Sequence, residues 1–362
     1  MKRLVCFLLA TILCAGIWGG CQTGNAPETT LGTTTEPTVQ DDGVTRILMI
    51  GHSLGIDSTF LLPQVAINEG VDNLVVGVLY HSGCRLSQHV SFLQKNERQS
   101  AYFEFDTTKD TQWSRADCNG NFTPYKPGMS TDKLIEDGSI GQTMEFAIVR
   151  QDWDIVMLQA GVFEATGKAT ADSTLKTENI QIVMDYVLEK DSIPQTTPVF
   201  GWNMIWTLPS DPALVKENYE NRIKTDFAGD HFSIYELGAK TLKEVIEPFH
   251  PFAYMMPAST AMENAKSSYM EDKDVYRDYA HATDFARMMV AYLWLCKLTD
   301  KGIDEMKIEG AIPSAMLTDE IMRLANIDLV LTEAQKQVLV ESVANALKTP
   351  YEVTQSQYTT AP

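Results

Sequence analysis

Short, almost continuously apolar runs recur along the chain, separated by stretches with helical periodicity. Five runs have the length and aliphatic content of buried strands: RILMIG (46–51), NLVVGVLY (73–80), DIVMLQ (154–159), PVFGWNMIW (198–206) and FAYMM (252–256). Because their apolar residues do not alternate with polar ones, they predict strands of a parallel sheet that is covered on both faces. Together with the helical patterns between them, they predict a doubly wound α/β fold with about five parallel strands flanked by helices.

Residues 101–135 interrupt this rhythm. The segment is polar, contains aromatic residues and carries Asn-Gly-Asn and Pro-Gly turn signals at 119–121 and 127–128. We therefore predict an insertion there, formed by a hairpin or a surface excursion. The domain itself is predicted to span 44–350. Residues 351–362 carry few large apolar side chains and are predicted to form a flexible tail.

The N-terminus has the pattern of an exported protein. Residues 1–20 combine a basic start with an apolar run that is short for a membrane span, which is typical of a signal peptide. Gly19-Gly20-Cys21 resembles the lipobox of bacterial lipoproteins, although Trp18 stands at a position that is usually aliphatic. Residues 21–43 would then be a lipidated cysteine followed by a disordered linker. This pattern predicts a lipoprotein on the extracellular side of the cell membrane, with plain secretion as the alternative.

Charge and cysteine content narrow the classes of partner. The formal net charge is −19, from 48 Asp and Glu against 29 Lys and Arg, so nucleic acids and anionic lipid head groups would be repelled. We expect a small-molecule or glycan substrate and membrane contact through the lipid anchor only. Cys84, Cys118 and Cys296 allow one disulfide, and the pairing stays open. No CxxC pair or Cys/His cluster is present, so no metal site is expected.

Two short motifs could carry chemistry. Ser53 directly follows the first predicted strand, at the sheet edge where ligands bind in parallel α/β folds. Far downstream, Asp278 precedes His281 by three residues, a spacing that lets a carboxylate hold an imidazole in place. Each motif also has a non-catalytic explanation. Ser53 could be a helix cap, and Asp278 and His281 could be exposed residues at a helix start.

The order of these motifs resembles the SGNH (GDSL-like) hydrolases, which have an early Gly-x-Ser, a glycine after the second strand, a polar side chain after the third and a late Asp-x-x-His. More narrowly, the chain resembles an uncharacterised SGNH-like family of secreted bacterial proteins. Five blocks carry the resemblance over roughly residues 46–298: ILMIGHSLGID, HSGCRLSQHV, WDIVMLQAG, PASTAMENAK and YRDYAHATDFARMMVAYLW. The fold it implies is a flavodoxin-like three-layer sandwich.

The resemblance also implies roles for individual residues. Ser53 would be the nucleophile, His281 its general base and Asp278 the residue that orients the histidine. The backbone N–H groups of Ser53 and Gly83 would form an oxyanion hole. Gln159 would stand where the wider superfamily has an asparagine. Such a mechanism requires no cofactor.

Some residues depart from the pattern, and others could line the pocket. His52 stands where the opening block usually has Asp or Asn, and Gln159 replaces the superfamily asparagine. His52, His81 and Trp202 are candidates for the pocket wall, with capping, surface or core roles as the alternatives. Glu164 is expected to be solvated.

The function that follows from the resemblance is an extracellular serine esterase. It would cleave an ester through an acyl-enzyme, with carbohydrate O-acetyl esters as the favoured substrates. The main alternative is a non-catalytic surface module that binds glycans or a protein on the same fold. A phospholipase-like esterase is less favoured, because the sequence shows no amphipathic or basic membrane-binding surface.

Overall fold

The structure is a computed structural model of the chain. It describes residues 42–110, 112–125, 131–168, 175–191, 197–250, 252–308 and 329–361. The predicted signal peptide, the lipidation site Cys21 and nearly all of the predicted linker lie outside these ranges. Among the described residues, no helix combines the length and apolar character that crossing a membrane requires.

In the described part of the chain, eight strands form one sheet. The strands are β1 (Thr45–Gly51), β2 (Leu74–Tyr80), β3 (Ala101–Asp106), β4 (Ser114–Ala116), β5 (Phe122–Pro124), β6 (Ile155–Leu158), β7 (Val199–Asn203) and β8 (Tyr254–Met256). Their spatial order is β5-β4-β3-β2-β1-β6-β7-β8. The five strands from β2 to β8 along this order run parallel, whereas β3, β4 and β5 are antiparallel to their neighbours.

The predicted fold class is confirmed. The five apolar runs of the sequence are the five parallel strands, and their order is that of flavodoxin-like sheets, with the first strand between the second and the third. The 101–135 insertion widens this sheet. β3 pairs with β2 along the whole length of β3, from Ala101 opposite Tyr80 to Asp106 opposite Val75, and β4 and β5 form a hairpin outside it.

Helices cover both faces of the sheet. They are α1 (Ser53–Thr59), α2 (Leu62–Glu69), α3 (Leu86–Lys95), α4 (Thr131–Glu136), α5 (Met144–Ile148), α6 (Thr177–Lys190), α7 (Glu217–Phe227), α8 (Phe232–Thr241), α9 (Ala258–Lys266), α10 (Asp272–Val275), α11 (Asp284–Thr299) and α12 (Glu333–Lys348). Alternate residues of β1 point to opposite faces. Ile47 and Met49 join a core with α1, α2, α9, α11 and α12, and Leu48 and Ile50 join one with α3, α5, α6 and α8.

One predicted helix boundary was wrong in a way that matters for the site. The apolar pattern of the sequence predicts a helix from about 59 to 68, which corresponds to α2, and it does not predict α1, which begins at Ser53. Pro63 lies in the first turn of α2, where a proline is tolerated and starts a helix well. The early start of α1 makes Ser53 the first residue of a helix.

The prediction of a flexible tail was also wrong. The residues after Tyr351 pack against the domain, and their backbone is held by polar side chains of α9 and α12. The N–H of Thr354 donates to Asn264 Oδ1 at 2.8 Å, and that of Gln357 donates to Glu341 Oε1 at 3.0 Å. Hydrogen bonds therefore order a segment that has too little apolar surface to order itself.

The three cysteines of the domain are unpaired. Cys84 and Cys296 are buried, Cys118 is partly exposed, and each has a free thiol. The disulfide that the sequence left open is absent among these described residues. Cys296 is a buried residue of the apolar helix α11, as the apolar residues around it in the sequence predict.

Candidate active site

The carboxyl ends of the central parallel strands open into a cleft of about 910 Å³. β1 lies between β2 and β6, so the segments that follow these strands meet at one sheet edge. This edge is the switch point of a doubly wound sheet, where ligands bind. Five predicted site residues line the cleft together: His52, Ser53, Gly83, Asp278 and His281.

Ser53 owes its position to a tight turn from β1 into α1. Glycine is required at position 51, because a Cβ atom there would lie 2.7 Å from the Gln159 carboxamide. Ser53 is the first residue of the helix, so its backbone N–H has no acceptor within the helix. Its hydroxyl makes no hydrogen bond to any described residue. Both groups are therefore free to contact a ligand in the cleft.

His52 is the N-cap of α1. Its Nδ1 accepts the backbone N–H of Leu54 at 3.3 Å, and its Nε2–H donates to the Ala160 carbonyl at 3.1 Å. A capping aspartate or asparagine would also accept from the first turn, so the histidine keeps the function of the residue usual at this position. Burial lowers the pKa of His52 from 6.5 to about 4. The ring is therefore neutral at neutral pH, and it adds no charge beside Ser53.

Asp278 and His281 lie on a loop between α10 and α11 that is closed like a small hairpin. Tyr276 and Ala282 form an antiparallel bridge, and the N–H of Arg277 donates to the His281 carbonyl at 2.9 Å. Within the loop, the Asp278 carboxylate accepts the backbone N–H of His281 at 2.9 Å. The backbone of the loop thus fixes the spacing of the two side chains.

The Asp278 carboxylate also holds the imidazole of His281. Nδ1 of the ring lies 2.9 Å from each carboxylate oxygen. An ionised carboxylate can only accept, so we assign the proton to Nδ1, which leaves Nε2 as a proton acceptor. Burial raises the pKa of Asp278, but its hydrogen bonds to His281 outweigh this and hold the pKa below its ordinary value. The pair can accept a proton at Nε2 and stabilise the resulting imidazolium.

A buried carboxylate, Asp57, ties this loop to the helix that carries Ser53. It lies one turn after Ser53 in α1 and is fully buried. Its oxygens accept from Arg287 Nη2 at 2.8 Å, Arg277 Nη1 at 3.2 Å and the backbone N–H of Ala282 at 2.9 Å. Burial raises the pKa of Asp57, and the two guanidinium groups reverse the effect and lower it. This ion cluster fixes the histidine loop relative to Ser53.

Sequence analysis missed Asp57 and Arg287, although a signal was present. Each is the single charged residue of a helical run that is buried and otherwise uncharged, 54–60 and 285–296 respectively. Charged side chains are seldom fully buried unless they are paired. Two isolated opposite charges in apolar runs therefore predict a buried ion pair, although the sequence does not say where it lies.

Glu164 was expected to be solvated, and this was wrong. Its side chain is buried, and Oε2 accepts the backbone N–H groups of Leu86 at 2.9 Å and Gly161 at 3.1 Å. Burial raises the pKa of this carboxyl. Gly83, at φ +58°, adopts the left-handed conformation that suits glycine, and it lies three residues before Leu86. Glu164 thus anchors the loop that carries Gly83, a residue of the cleft lining.

Gln159 is not among the described residues that line the cleft. Its side chain is only 1% exposed and fills the space beside Gly51 and Gly55. Its Oε1 accepts from Asn203 Nδ2 at 3.2 Å, whereas its Nε2 has no partner among the described residues. The carboxamide supports the turn of Ser53 from behind the cleft, which argues against the role that the resemblance implies for it.

Two further candidates for the pocket wall lie elsewhere. His81 is outside the described cleft lining, because its Nδ1 bonds to the Gln99 carbonyl and its ring packs edge-on against Phe92 at 4.9 Å. Trp202 is buried against Phe252, with ring centroids 5.6 Å apart. Both side chains therefore contribute to packing rather than to the cleft.

Trp206 supports the site from the core. Its indole is fully buried, and Nε1 donates to the Ala280 carbonyl at 2.8 Å. Ala280 lies directly before His281 in the chain. This hydrogen bond therefore fixes the histidine loop to the core of the domain. The position of a tryptophan after β7 predicts an aromatic near the site, but the sequence could not distinguish a supporting side chain from a stacking platform.

Aromatic rings line one wall of the cleft. Tyr279 stacks on Tyr219 at 5.2 Å, Tyr219 stacks on Phe163 at 6.0 Å, and Tyr279 meets His281 edge-on at 5.5 Å. The ammonium of Lys216 lies 3.5 Å from the centre of the Tyr279 ring. This wall adds a cation and a rigid aromatic stack next to the imidazole.

Comparison with known proteins supports the fold and goes no further. The crystal structure of a DUF4886 family protein from Bacteroides uniformis matches with a TM-score of 0.62 at 17% sequence identity, covering 86% of this chain and 98% of that chain. At this identity the likeness establishes the fold alone. No family model matches the sequence, and no curated protein matches it.

Proposed function

We propose that this protein is an SGNH-like serine hydrolase that cleaves esters, with carbohydrate O-acetyl esters as the favoured substrates. One observation carries the proposal. His281 Nδ1 lies 2.9 Å from both oxygens of Asp278, in a cleft that Ser53 and Gly83 also line. The preference for carbohydrate esters rests on the sequence resemblance and on the predicted cell-surface location, so it is an analogy.

In the first half of the reaction, Ser53 Oγ attacks the ester carbonyl while His281 Nε2 takes the hydroxyl proton. The negative charge that develops on the carbonyl oxygen would be stabilised by the N–H groups of Ser53 and Gly83. Donors of this kind are worth about 3–4 kcal/mol each in the transition state. The tetrahedral intermediate then breaks its bond to the alcohol, which leaves with the proton from His281.

The second half repeats these steps with water. His281 takes a proton from a water molecule as its oxygen attacks the acyl group on Ser53. The intermediate releases the carboxylic acid, and the proton on His281 returns to Ser53 Oγ. Asp278 stays ionised throughout and keeps the imidazole in the required tautomer.

Labelling of the purified protein with a fluorophosphonate probe tests this proposal. The probe reacts covalently with activated serines, so the wild-type protein should be labelled. Ser53→Ala and His281→Ala should both abolish labelling while they keep the wild-type circular dichroism spectrum. A matched control is Ser91→Ala, which removes a hydroxyl on α3 outside the described cleft lining.

One observation favours a second candidate, a non-catalytic binding module on the same fold. The Ser53 hydroxyl makes no hydrogen bond to His281 in this structure. Catalytic hydrogen bonds are often long in ligand-free enzymes and tighten only when substrate binds, so we favour the hydrolase. If the folded wild-type protein resists the probe under conditions that label a known serine esterase, the binding module becomes the better interpretation.

A further inference from the structure

The two proposed oxyanion donors lie on different segments of the chain. Ser53 begins α1 directly after β1, and Gly83 lies on the loop between β2 and α3 (the Gly83 loop, residues 81–85). An oxyanion hole requires donors at a fixed separation, because both must reach one oxygen atom at hydrogen-bond distance. The fold must therefore hold the Gly83 loop in place relative to the turn before α1.

The Gly83 loop is bonded to other elements at its two ends. At the start, the N–H of His81 donates to the Gly51 carbonyl at 3.2 Å. Just past the end, the N–H of Leu86 donates to Glu164 Oε2 at 2.9 Å. Between them, residues 82–85 make hydrogen bonds only within the loop or with α3, as far as the described residues go. Glu164 therefore fixes the end of the loop that leads into α3.

α3 lacks the usual capping side chain. Its N-cap residue is Arg85, whose guanidinium can only donate, whereas the first N–H groups of a helix need an acceptor. Ser, Thr, Asp or Asn usually supplies this acceptor from the N-cap position. Here Glu164 supplies it, 78 positions after Leu86 in the chain. A carboxylate at this end of a helix also interacts favourably with the helix dipole.

The same carboxylate oxygen holds the segment that follows β6. Glu164 Oε2 also accepts the N–H of Gly161, at 3.1 Å. The carbonyl of the preceding residue, Ala160, accepts the Nε2–H of His52 at 3.1 Å. His52 directly precedes Ser53. One chain of hydrogen bonds therefore runs from the residue before Ser53, through residues 160–164, to the first turn of α3.

Glu164 is itself held firmly. Its side chain is buried, and its turn of helix is tied to α8, where Thr241 Oγ1 donates to the Thr166 carbonyl at 2.7 Å. Burial raises the pKa of Glu164, and its N–H donors and the nearby guanidinium of Arg85 oppose this rise without reversing it. The carboxyl group is thus an acceptor in a fixed position.

We infer that Glu164 is a positioning residue of the proposed oxyanion hole: its Oε2 sets the separation between the segments that carry Ser53 and Gly83. This inference rests on the proposed function, because it assigns Glu164 a part in the same reaction. The role depends on the reach of the side chain rather than on its charge. A carboxylate that only capped α3 would stabilise the protein and leave the reactivity of Ser53 unchanged.

Two substitutions separate reach from charge. Glu164→Gln keeps the length of the side chain and an oxygen that can accept both N–H groups, so fluorophosphonate labelling per folded molecule should stay close to the wild-type rate. Glu164→Asp keeps the charge but is one methylene shorter. A displacement of about 1 Å can cost about 10²-fold in rate, and we expect labelling of Glu164→Asp to slow by about this factor.

Thr332→Ala is the matched control for lost capping. Thr332 is the N-cap of α12, and its hydroxyl accepts the N–H of Gln335 at 3.2 Å, outside the described cleft lining. Its removal should lower the melting temperature, as the loss of a cap does, and leave the labelling rate unchanged. Amide hydrogen exchange is a second readout: residues 82–86 should exchange faster in Glu164→Asp than in Thr332→Ala or the wild type.

The outcomes distinguish this inference from the proposed function. A labelled wild type beside an equally fast Glu164→Asp variant would overturn the inference alone. Labelling of Glu164→Gln that is as slow as that of Glu164→Asp, or slower, would also overturn it, since the role would then belong to the charge. A folded wild type that is not labelled would overturn the proposed function, and this inference with it.

Discussion

At the scale of single residues, the site depends on which protons its side chains hold. Asp278 accepts from His281 Nδ1, and this contact fixes the tautomer in which Nε2 can take a proton from Ser53. Asp278→Asn would retain the shape of the side chain but could donate to Nδ1, which would favour the wrong tautomer. We expect the rate of fluorophosphonate labelling to fall on the order of 10³–10⁴-fold, as in other serine triads.

The control for this variant is Asp185→Asn, which changes an exposed carboxylate on α6. It should be labelled at the wild-type rate. Labelling of Asp278→Asn at that same rate would remove Asp278 from the proposed mechanism, provided that both variants melt at similar temperatures.

His52 gives a prediction about pH and stability. Burial lowers its pKa from 6.5 to about 4, so the unfolded chain takes up a proton in this window while the folded protein does not. Stability that is present above about pH 6.5 should therefore be lost as the pH falls to 4, by about 3 kcal/mol. His52→Asn keeps a capping side chain but has no proton to bind. Urea unfolding across this range should show a smaller loss for the variant, and equal losses would refute the pKa shift.

Sequence analysis predicted that Ser53, Asp278 and His281 belong to one site, and all three line the same cleft. It did not predict the residues that hold them in place. Ser53, Asp278 and His281 could be predicted because strand ends and a three-residue spacing are visible in one dimension. The sequence did not show that Gln159 packs behind the cleft lining, because the direction of a side chain after a strand depends on how close the neighbouring helix lies. That approach is set by two glycines, Gly51 and Gly55, whose importance appears only when the packing is known.

At the scale of elements, one buried ion cluster joins α1, the histidine loop and α11. Asp57 is fully buried and compensates both Arg277 and Arg287. Asp57→Asn would remove the carboxylate that compensates these two buried guanidinium groups. Breaking a buried ion pair in this way lowers the free energy of unfolding by about 3–5 kcal/mol. We expect this loss in the free energy of unfolding, measured with urea, together with slower labelling of the protein that remains folded.

Asp284→Asn is the matched comparison for Asp57. Asp284 accepts from the same Arg287 at 3.1 Å, but it is partly exposed. Burial raises its pKa to about 6, so its carboxylate holds the guanidinium less firmly. The expected cost is about 1 kcal/mol. If the two variants unfold at the same urea concentration, Asp57 contributes no more to the stability of the ion cluster than Asp284 does.

The strands were predicted well, and the helix ends less well, for a physical reason. A strand buried on both faces is apolar at every position, so its run in the sequence nearly coincides with its limits. α1 contains His52 as its cap and Ser53 at its start, and neither residue follows the apolar period that marked the helix further on. The insertion was detected as a break in the pattern, but its pairing with β2 is a tertiary contact that the pattern does not contain.

At the scale of the whole molecule, the C-terminal segment completes the layer of helices on one face of the sheet. Tyr269 N–H donates to the Tyr358 carbonyl at 2.7 Å, and Ser356 N–H donates to Ser267 Oγ at 2.9 Å. These bonds add to those of Thr354 and Gln357 with the side chains of α9 and α12. A segment that composition marks as disordered is thus ordered by polar groups of other elements.

Removal of residues 352–362 tests whether this segment stabilises the domain. The four hydrogen bonds described above would be lost, together with others such as that from the Ser356 hydroxyl to Glu341. Each is worth about 0.5–1.5 kcal/mol net, so we expect the free energy of unfolding to fall by at least about 2 kcal/mol. Removal of 359–362 alone is the control, because the described residues of that stretch make no hydrogen bonds to the domain. Probe labelling per folded molecule should be unchanged in both truncations, since none of these residues lines the described cleft. Equal stability of the two truncations would mean that the segment rests on the domain without stabilising it.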